Sequence, residues 1–150
     1  MTSPLEPIDR AILRELVADG RKTLTDLAER VGLSVSAVHQ RVRRLEQRGA
    51  VRGYAAKLDL EQLGLPLTAL ISLTPIDPAA PDDYPTRLQH LAGIEACYSV
   101  AGDESYVLLV RVASPAALEE LLRQIREAAN VSTRTTVVLS TPFEGRPPAI

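Results

Sequence analysis

Residues 25–48, TDLAERVGLSVSAVHQRVRRLEQR, constrain the fold of this chain more than any other segment. The spacing Ala28-x3-Gly32-x5-Val38 within them is typical of two short helices that cross closely around a tight turn. The small side chain of Ala28 permits the close crossing, and Gly32 allows the left-handed backbone of the turn, which a Cβ would resist. The segment therefore predicts a helix-turn-helix.

Further signals indicate where the helices of this region begin and end. The hydroxyl of Ser34 is suited to accept a hydrogen bond at the start of the second helix of the pair. We expect another helix before the pair, from about Asp9, as its N-cap, to Ala18. After Gly49 the alternation of side chains indicates an extended segment, residues 51–58, which we expect to pair as a strand.

The second helix of the pair is apolar on one face and basic on the other. At about 100° per residue, Val38, Val42 and Leu45 form a single apolar stripe. Polar side chains opposite this stripe can meet base edges in a major groove, and arginines on one flank suit phosphates. A merely solvated basic face is the alternative, which the turn and the helix before it disfavour. The predicted base contacts are Ser36, His39, Gln40 and Arg43, and the predicted phosphate contacts are Arg41, Arg44 and Arg48. Ser34, at the start of the helix, is also predicted to bind DNA.

Charge is unevenly distributed along the chain, although the net charge is only −2. Residues 1–58 carry a net charge of +4 and residues 59–150 one of −6. This division indicates that only the first segment meets a polyanion. The single cysteine, Cys97, excludes an internal disulfide, and we expect it to be buried. Charges interrupt every apolar run and no basic apolar signal segment opens the sequence, so we expect a cytoplasmic protein without a membrane span.

The second half of the sequence alternates between strand and helix patterns. Their predicted order is strand, helix, strand, strand, helix, strand, the ferredoxin-like βαββαβ pattern with both helices on one face of an antiparallel sheet. We expect Leu108, Val110 and Val112 to supply the apolar side chains of the other face, and a second copy of the chain to cover it. The predicted strands are 67–74, 94–101, 106–112 and 131–141, and the predicted helices are 84–91 and one that begins at Ser114.

Together these patterns predict an α+β chain of two domains. We predict a winged-type helix-turn-helix domain over residues 1–50, a linker strand and hinge over 51–64, and a ferredoxin-like domain over 65–150. The sequence offers no nucleophile and base pair, no metal-ligand cluster and no glycine-rich phosphate loop. We therefore expect neither an enzyme nor a bound cofactor.

The chain resembles the Lrp/AsnC, or feast/famine, family of bacterial and archaeal transcriptional regulators over nearly its whole length. The motifs that carry the resemblance are IDRAILRELVADGR (8–21), LAERVGLSVSAVHQRVRRLEQRGAVRGYAAKLD (27–59), YSVAGDESYVLLVRV (98–112) and VSTRTTVVLS (131–140). The resemblance implies a regulator that binds double-stranded DNA through its first domain and a small effector, usually an amino acid, through its second. It also implies a homodimer, often assembled into an octamer, in which the linker strand ties two DNA-binding domains together.

The loop Gly102, Asp103, Glu104, Ser105 is the candidate effector site. Main-chain amides at a glycine turn can bind a carboxylate, and Asp103 or Glu104 can accept from an ammonium group. Taken alone, the loop is better explained as a simple hairpin turn, but the resemblance favours the effector site. Many relatives carry aspartate where this chain has Ser105, so the partner of the ammonium group stays open. The resemblance adds three positions on the last strand, namely Thr133, Thr135 and Thr136.

Two other functions are compatible with parts of the sequence. A nucleoid-type architectural protein would bend or wrap DNA through phosphate contacts without control by a ligand. A free amino-acid sensor that controls a partner enzyme would explain the second domain but would leave the basic helix without a role. We therefore expect a ligand-responsive regulator, with the architectural protein as the alternative.

Overall fold

The computed structural model of the chain describes residues 5–148. Residue contacts divide the chain into two compact units, one that runs to Lys57 and includes the tail from Phe143, and one that comprises Leu58–Pro142. The predicted limits at 50/51 and 64/65 stay a prediction, because a division by contacts does not define a hinge. Residues 1–4 and 149–150 of the predicted terminal domains lie outside the described residues.

The first unit contains three helices around one apolar core. They are α1 (Pro7–Ala18), α2 (Leu24–Val31) and α3 (Val35–Gln47). Each helix turns its apolar stripe inward, and Ile12, Leu27 and Val38 are among the fully buried side chains. Full burial of a side chain of this size stabilises a fold by about 1.5–3 kcal/mol. The core therefore holds α3 by one face and leaves the other face exposed.

The first helix begins earlier than the sequence predicts. Pro7 lies in the first turn, where its missing N–H costs no hydrogen bond, and Glu6 is the N-cap. The predicted N-cap, Asp9, lies inside the helix and is only 3% exposed. That prediction is wrong because the carboxylate of Asp9 is used by Arg41 of α3, 32 residues away.

The turn between α2 and α3 confirms the predicted helix-turn-helix. Gly32 has a φ of 70°, and its N–H donates to the carbonyl oxygen of Ala28 over 2.9 Å. Ser34 caps α3, because its Oγ accepts a hydrogen bond from the N–H of Ala37 at 3.3 Å. A capping box begins α2 at its other end. Local hydrogen bonds at the ends of α2 and at the start of α3 thus fix both helices.

The segment after α3 is extended but unpaired. Residues 52–59 have no regular secondary structure, and residues 60–64 form a turn. The expected linker strand is therefore not formed within the chain. A strand needs a neighbour about 4.8 Å away to share its hydrogen bonds, and the four strands of the described sheet all lie after residue 66.

The second unit has the predicted ferredoxin-like fold, and the α+β class is confirmed. Its sheet has the order β2-β3-β1-β4, and every neighbouring pair is antiparallel. Helix α4 is only five residues long, because the chain turns at residues 89–93 instead of continuing the helix. The elements are β1 (Leu67–Pro75), α4 (Tyr84–Leu88), β2 (Ile94–Ser99), β3 (Tyr106–Val112), α5 (Pro115–Ala129) and β4 (Val131–Val137).

One face of this sheet is covered by the helices, and β3 shows which face it is. Leu108, Val110 and Val112 belong to the buried cluster with α5 and are at most 6% exposed. Their neighbours Val107 and Leu109 lie on the other, open face and are half-buried. The expectation that Leu108, Val110 and Val112 face a second copy is therefore wrong, because they face the helices. Alternation predicts two sets of side chains, but when both sets are apolar it does not tell which one meets the helices.

Helix α5 and strand β4 follow one another almost without a loop. Ser114 caps α5 by accepting a hydrogen bond from the N–H of Ala117 at 3.2 Å, and Pro115 is the first residue of the helix. The helix ends at Ala129, and Asn130 adopts the left-handed conformation with a φ of 53°. Strand β4 begins at the next residue.

The edge strand β2 carries the single cysteine. Cys97 is exposed there, so the expectation of a buried side chain is wrong. An edge strand lacks a neighbour on one side, which leaves its side chains more accessible than those of β1 or β3.

Candidate DNA-binding and effector sites

The outward face of α3 collects most of the side chains predicted to contact DNA. Val38, Val42 and Leu45 are buried and fix the rotation of the helix about its axis. The helix has 13 residues, and an α-helix with its side chains is about 10–12 Å in diameter, which suits a major groove about 12 Å wide. The predicted contacts that are exposed on this helix or at its C-terminal end are Ser36, His39, Gln40, Arg43, Arg44 and Arg48.

Ser34 lies at the N-terminus of α3 and takes part in the structure of the helix. Its Oγ accepts from the N–H of Ala37 and lies 3.2 Å from the Oγ of Ser36. Both serines are exposed. The N-terminus of a helix carries a partial positive charge, which favours a phosphate at this place. A DNA contact of Ser34 stays a prediction, beside its established cap.

Arg41 is placed differently from the prediction. Its Nη1 donates to Oδ1 of Asp9 at 2.8 Å and to Oε2 of Glu6 at 3.0 Å. These two hydrogen bonds, the one to Asp9 first, raise the pKa of Arg41 above its ordinary value. A guanidinium whose charge is balanced by two carboxylates has little attraction left for a phosphate. The prediction of a phosphate contact is therefore revised. Arg41 connects α3 to Asp9 of α1 and to Glu6, the residue before α1.

Tyr54 makes a contact beside α3 that the sequence did not reveal. Its hydroxyl donates to Oε1 of Glu46 at 3.0 Å, and burial together with this bond raises the pKa of Tyr54. The ring closes one side of a cavity of about 450 Å³ that reaches His39 and Arg43. An aromatic side chain within a polar, extended segment was the available signal. The contact attaches the start of that segment to α3.

The candidate effector loop is anchored at both ends by main-chain hydrogen bonds. The N–H of Val100 donates to the carbonyl oxygen of Ser105 at 3.1 Å, and the N–H of Ser105 donates to that of Leu73 at 3.0 Å. Gly102 and Asp103 are exposed at the tip. The loop is therefore fixed to β1 as well as to its own strands, and its tip is accessible to a ligand.

Glu104 of this loop forms an ion pair with Arg134 of β4. The pair crosses β1, because β3 and β4 lie on either side of that strand. Glu104 retains 20% of its side-chain exposure and Arg134 retains 76%. Arg134 was not among the predicted site residues. Its signal in the sequence is a charged side chain inside the threonine- and valine-rich strand VSTRTTV.

The three threonines predicted for the effector site do not all share a face of the sheet. Thr133 and Thr135 lie on the face covered by the helices, and Oγ1 of Thr133 accepts a hydrogen bond from Arg126 of α5 at 3.3 Å. Thr136 lies on the open face with Arg134 and is exposed. The predicted grouping is thus only partly formed, because successive side chains of a strand point in opposite directions.

Tyr106 and Asp82 form a second anchor of the loop, which the sequence did not reveal. Tyr106, which follows Ser105, donates from its hydroxyl to Oδ1 of Asp82 at 2.9 Å, and this bond raises the pKa of Tyr106. Its ring contacts that of Tyr84 edge to face, with centroids 5.9 Å apart. The end of the loop is therefore tied to the segment that leads into α4.

A metal-binding cluster and a helix that could span a membrane are both absent from residues 5–148. No group of three or more His, Cys, Asp or Glu side chains there is placed to hold a metal ion. None of the helices in that part of the chain has the length and apolar character needed to cross a lipid bilayer.

A helix-turn-helix with an exposed basic helix, followed by a ferredoxin-like domain, defines a DNA-binding transcriptional regulator with a ligand-binding domain. Family models agree with this class, since a winged helix-turn-helix DNA-binding model matches residues 5–52 and an Lrp/AsnC ligand binding domain matches residues 68–148. The chain belongs to the Lrp/AsnC family of transcriptional regulators. It is accordingly a regulator and not an enzyme.

Individual relatives are similar over nearly the whole chain. The HTH-type transcriptional regulator LrpA of Mycobacterium tuberculosis is 58% identical over 146 residues, which cover 97% of each protein. The leucine-responsive regulatory protein of Escherichia coli K12 is 39% identical over 140 residues, 90% of this chain and 85% of that protein. A solved structure of the M. tuberculosis feast or famine regulatory protein, complexed with L-methionine, has a TM-score of 0.94 at 58% identity and covers 97% of this chain and 99% of its own.

Proposed function

We propose that this regulator recognises specific DNA sequences as a homodimer, assembled further into an octamer, and that an amino acid bound to its second domain modulates assembly or DNA binding. One observation carries the proposal: α3 is buried by its apolar stripe and presents His39, Gln40 and Arg43 together on its exposed face. Arginine pairs with guanine and glutamine with adenine through two hydrogen bonds each. Such a face can distinguish base pairs, whereas side chains that met only phosphates would bind all sequences alike.

The open face of the sheet supports the homodimer. Val107, Leu109 and Leu70 lie on it with Tyr98, and Leu70 and Tyr98 are exposed in the single chain. A sheet with helices on one face needs a cover on the other, and a second copy provides one of the same shape. Two α3 helices would then read a quasi-palindromic site with half-sites about one helical turn apart, or a multiple of it.

The unpaired segment after α3 supports a linker between domains. We assign residues 51–64 to the linker strand and hinge, with the domains at 1–50 and 65–150. The N–H and C=O groups of residues 52–59 make no strand ladder within the chain. The same segment of a second copy would satisfy them and would tie two DNA-binding domains together.

The loop of Gly102, Asp103, Glu104 and Ser105 is the effector site in this proposal, with Thr136 of β4 on the other side of β1. The mycobacterial relative complexed with L-methionine makes methionine the first candidate for this chain. The main-chain amides of the loop tip and the carboxylates beside them offer partners for both charged groups of an amino acid.

Genome-wide occupancy of the protein tests the DNA-binding part of the proposal. We expect a small number of sharp sites with a shared quasi-palindromic sequence, each protected over two half-sites in a footprint. Broad coverage without a shared sequence would instead favour the nucleoid-type architectural protein, which binds through phosphates and DNA deformation.

A thermal-unfolding screen of the full chain against the common amino acids tests the effector part. A ligand that binds only the native state stabilises it by about 2.7 kcal/mol at a hundredfold excess over its Kd. We expect a selective rise of the midpoint for one or a few amino acids. If none raises it while DNA binding is intact, the chain is a ligand-independent regulator or an architectural protein.

A further inference from the structure

We propose that Arg134 binds the carboxylate of the effector, and that the ion pair of Arg134 with Glu104 is the empty form of a site for a zwitterion. This inference rests on the proposed effector site and names the residue that completes it. Glu104 belongs to the loop, and Arg134 belongs to β4.

The position of the pair fits a ligand site better than a structural ion pair. The main-chain bond from Ser105 to Leu73 holds the loop against β1, so Glu104 reaches Arg134 across that strand. Arg134 remains 76% exposed although it is paired. Exposed ion pairs contribute at most about 1 kcal/mol to stability. Stabilisation of the fold therefore does not explain why Glu104 and Arg134 are paired.

The surroundings of the pair are polar on one side and apolar on the other. In the sheet register Arg134 stands beside Ser72, and Ser72 stands beside Val107 of β3. Leu70 and Leu109 form the next row of the open face. A molecule bound between the two charges would therefore meet the hydroxyl of Ser72 directly below it.

An α-amino acid matches this arrangement charge for charge. Its ammonium group can replace Arg134 as the partner of Glu104, and its carboxylate can replace Glu104 as the partner of Arg134. Every charge then keeps an opposite partner, and the net charge of the site does not change. A ligand with only one of the two groups leaves one protein charge without its partner, so the site discriminates against amines and carboxylic acids that are not zwitterions.

Titration calorimetry on the full chain tests this inference with L-methionine, its amide, which lacks the carboxylate, and 4-(methylthio)butanoate, which lacks the ammonium group. We expect the wild type to bind methionine at least about tenfold more tightly than either analogue. Arg134→Gln should weaken methionine binding by roughly ten- to hundredfold and should not weaken binding of the amide, which then leaves no arginine without its partner. Arg134→Lys, which keeps the charge, should recover part of the loss.

The matched control is Arg123→Gln, since Arg123 is also exposed and paired with glutamates but lies on α5. We expect it to bind methionine like the wild type. Equal binding of methionine by Arg134→Gln and the wild type would overturn this inference and leave the proposed effector response intact. Failure of the wild type to bind any common amino acid would overturn the proposed effector response, and this inference with it.

Discussion

The guanidinium of Arg41 in α3 and the carboxylate of Asp9 in α1 form a hydrogen-bonded ion pair of 2.8 Å. The carboxylate is buried and keeps almost no contact with water, while Arg41 retains 23% of its side-chain exposure. Glu6 adds a second, exposed carboxylate at 3.0 Å. The middle of α3 is therefore connected to the first turn of α1 by charge, in addition to the apolar core.

Removal of Arg41 is predicted to destabilise the first unit rather than to remove a DNA contact. Arg41→Ala leaves the carboxylate of Asp9 buried without a partner, which costs about 3 kcal/mol, the low end for breaking a buried pair. Urea denaturation, with hydrogen exchange to resolve α1 and α3, measures this loss. The dependence of DNA affinity on salt should keep its slope under conditions where the variant is folded.

Arg44→Ala is the matched control, because Arg44 is an exposed arginine on the same helix. We expect its stability to stay within about 0.5 kcal/mol of the wild type. A stable Arg41→Ala protein with a flatter salt dependence would return Arg41 to the phosphate contacts.

Arg43 and Arg44 are predicted to contribute to DNA binding in different ways. Arg43→Ala should relax the choice of one base pair, a preference of about 1–3 kcal/mol, because a bidentate contact to guanine is lost. Arg44→Ala should weaken binding to all sequences and lower the slope of log K against log salt by about 0.9. Competition binding to a randomised operator library at several salt concentrations separates the two effects. An unchanged sequence preference in Arg43→Ala would remove that residue from base readout.

Gly32→Ala is predicted to destabilise the helix-turn-helix by strain alone. Gly32 has a φ of 70°, and an added Cβ would meet nothing within 4 Å. The left-handed conformation costs a residue with a Cβ roughly 1 kcal/mol. Gly102→Ala is the comparison, because Gly102 also has open space but no positive φ is required there. Equal stability of the two variants in denaturant titrations would show that the turn adapts without strain.

A charge on the open face of the sheet is predicted to break the homodimer. Leu70→Lys places an ammonium group among the apolar side chains that a second copy would cover, and burying it there without a partner is costly. Ile76→Lys is the control, since Ile76 is an exposed apolar residue outside the sheet. Light scattering after size exclusion should give a smaller assembly for Leu70→Lys only. Unchanged mass for both variants would place the dimer contact elsewhere.

Acid is predicted to weaken one set of contacts on α5. The side chains of Arg123 and Gln124 lower the pKa of Glu120 to about 2. A lowered pKa means that the stabilisation is present above the ordinary value near 4.5 and is lost as the pH falls from there to about 2. Because Glu120 is exposed, the effect is small and screened by salt. Glu120→Gln should flatten this part of the stability curve at low salt, and Glu119→Gln on the same helix should not.

Local signals in the sequence were sufficient for most of the fold. The left-handed glycine and the serine cap act within a few residues, so the turn around Gly32 and the start of α3 could be predicted. The bounds of β3 were also predicted, since the apolar, valine-rich run of residues 106–112 follows the turn of residues 102–105. What alternation could not supply was the direction of Leu108 and its neighbours, because that depends on where the helices pack.

Contacts between distant residues limited the prediction of the sites. Asp9 looked like a helix cap and Arg41 like a phosphate ligand until the fold brought them together. Arg134 lies 30 residues from Glu104, and no periodic pattern links the two. The side chains of α3, by contrast, could be assigned to a face because one helix determines the geometry of all of them.

Asn130 is the only residue between α5 and β4, so this junction cannot absorb a displacement of one element relative to the other. A helix and a strand joined by a long loop can move independently, whereas here a displacement of β4 along the sheet must be followed by the C-terminal end of α5. Any ligand that displaces β4 would thus also displace the C-terminal end of α5, in the helical layer of the domain. The same shortness makes the junction a poor place for insertions, which are better tolerated in the loop of residues 76–83.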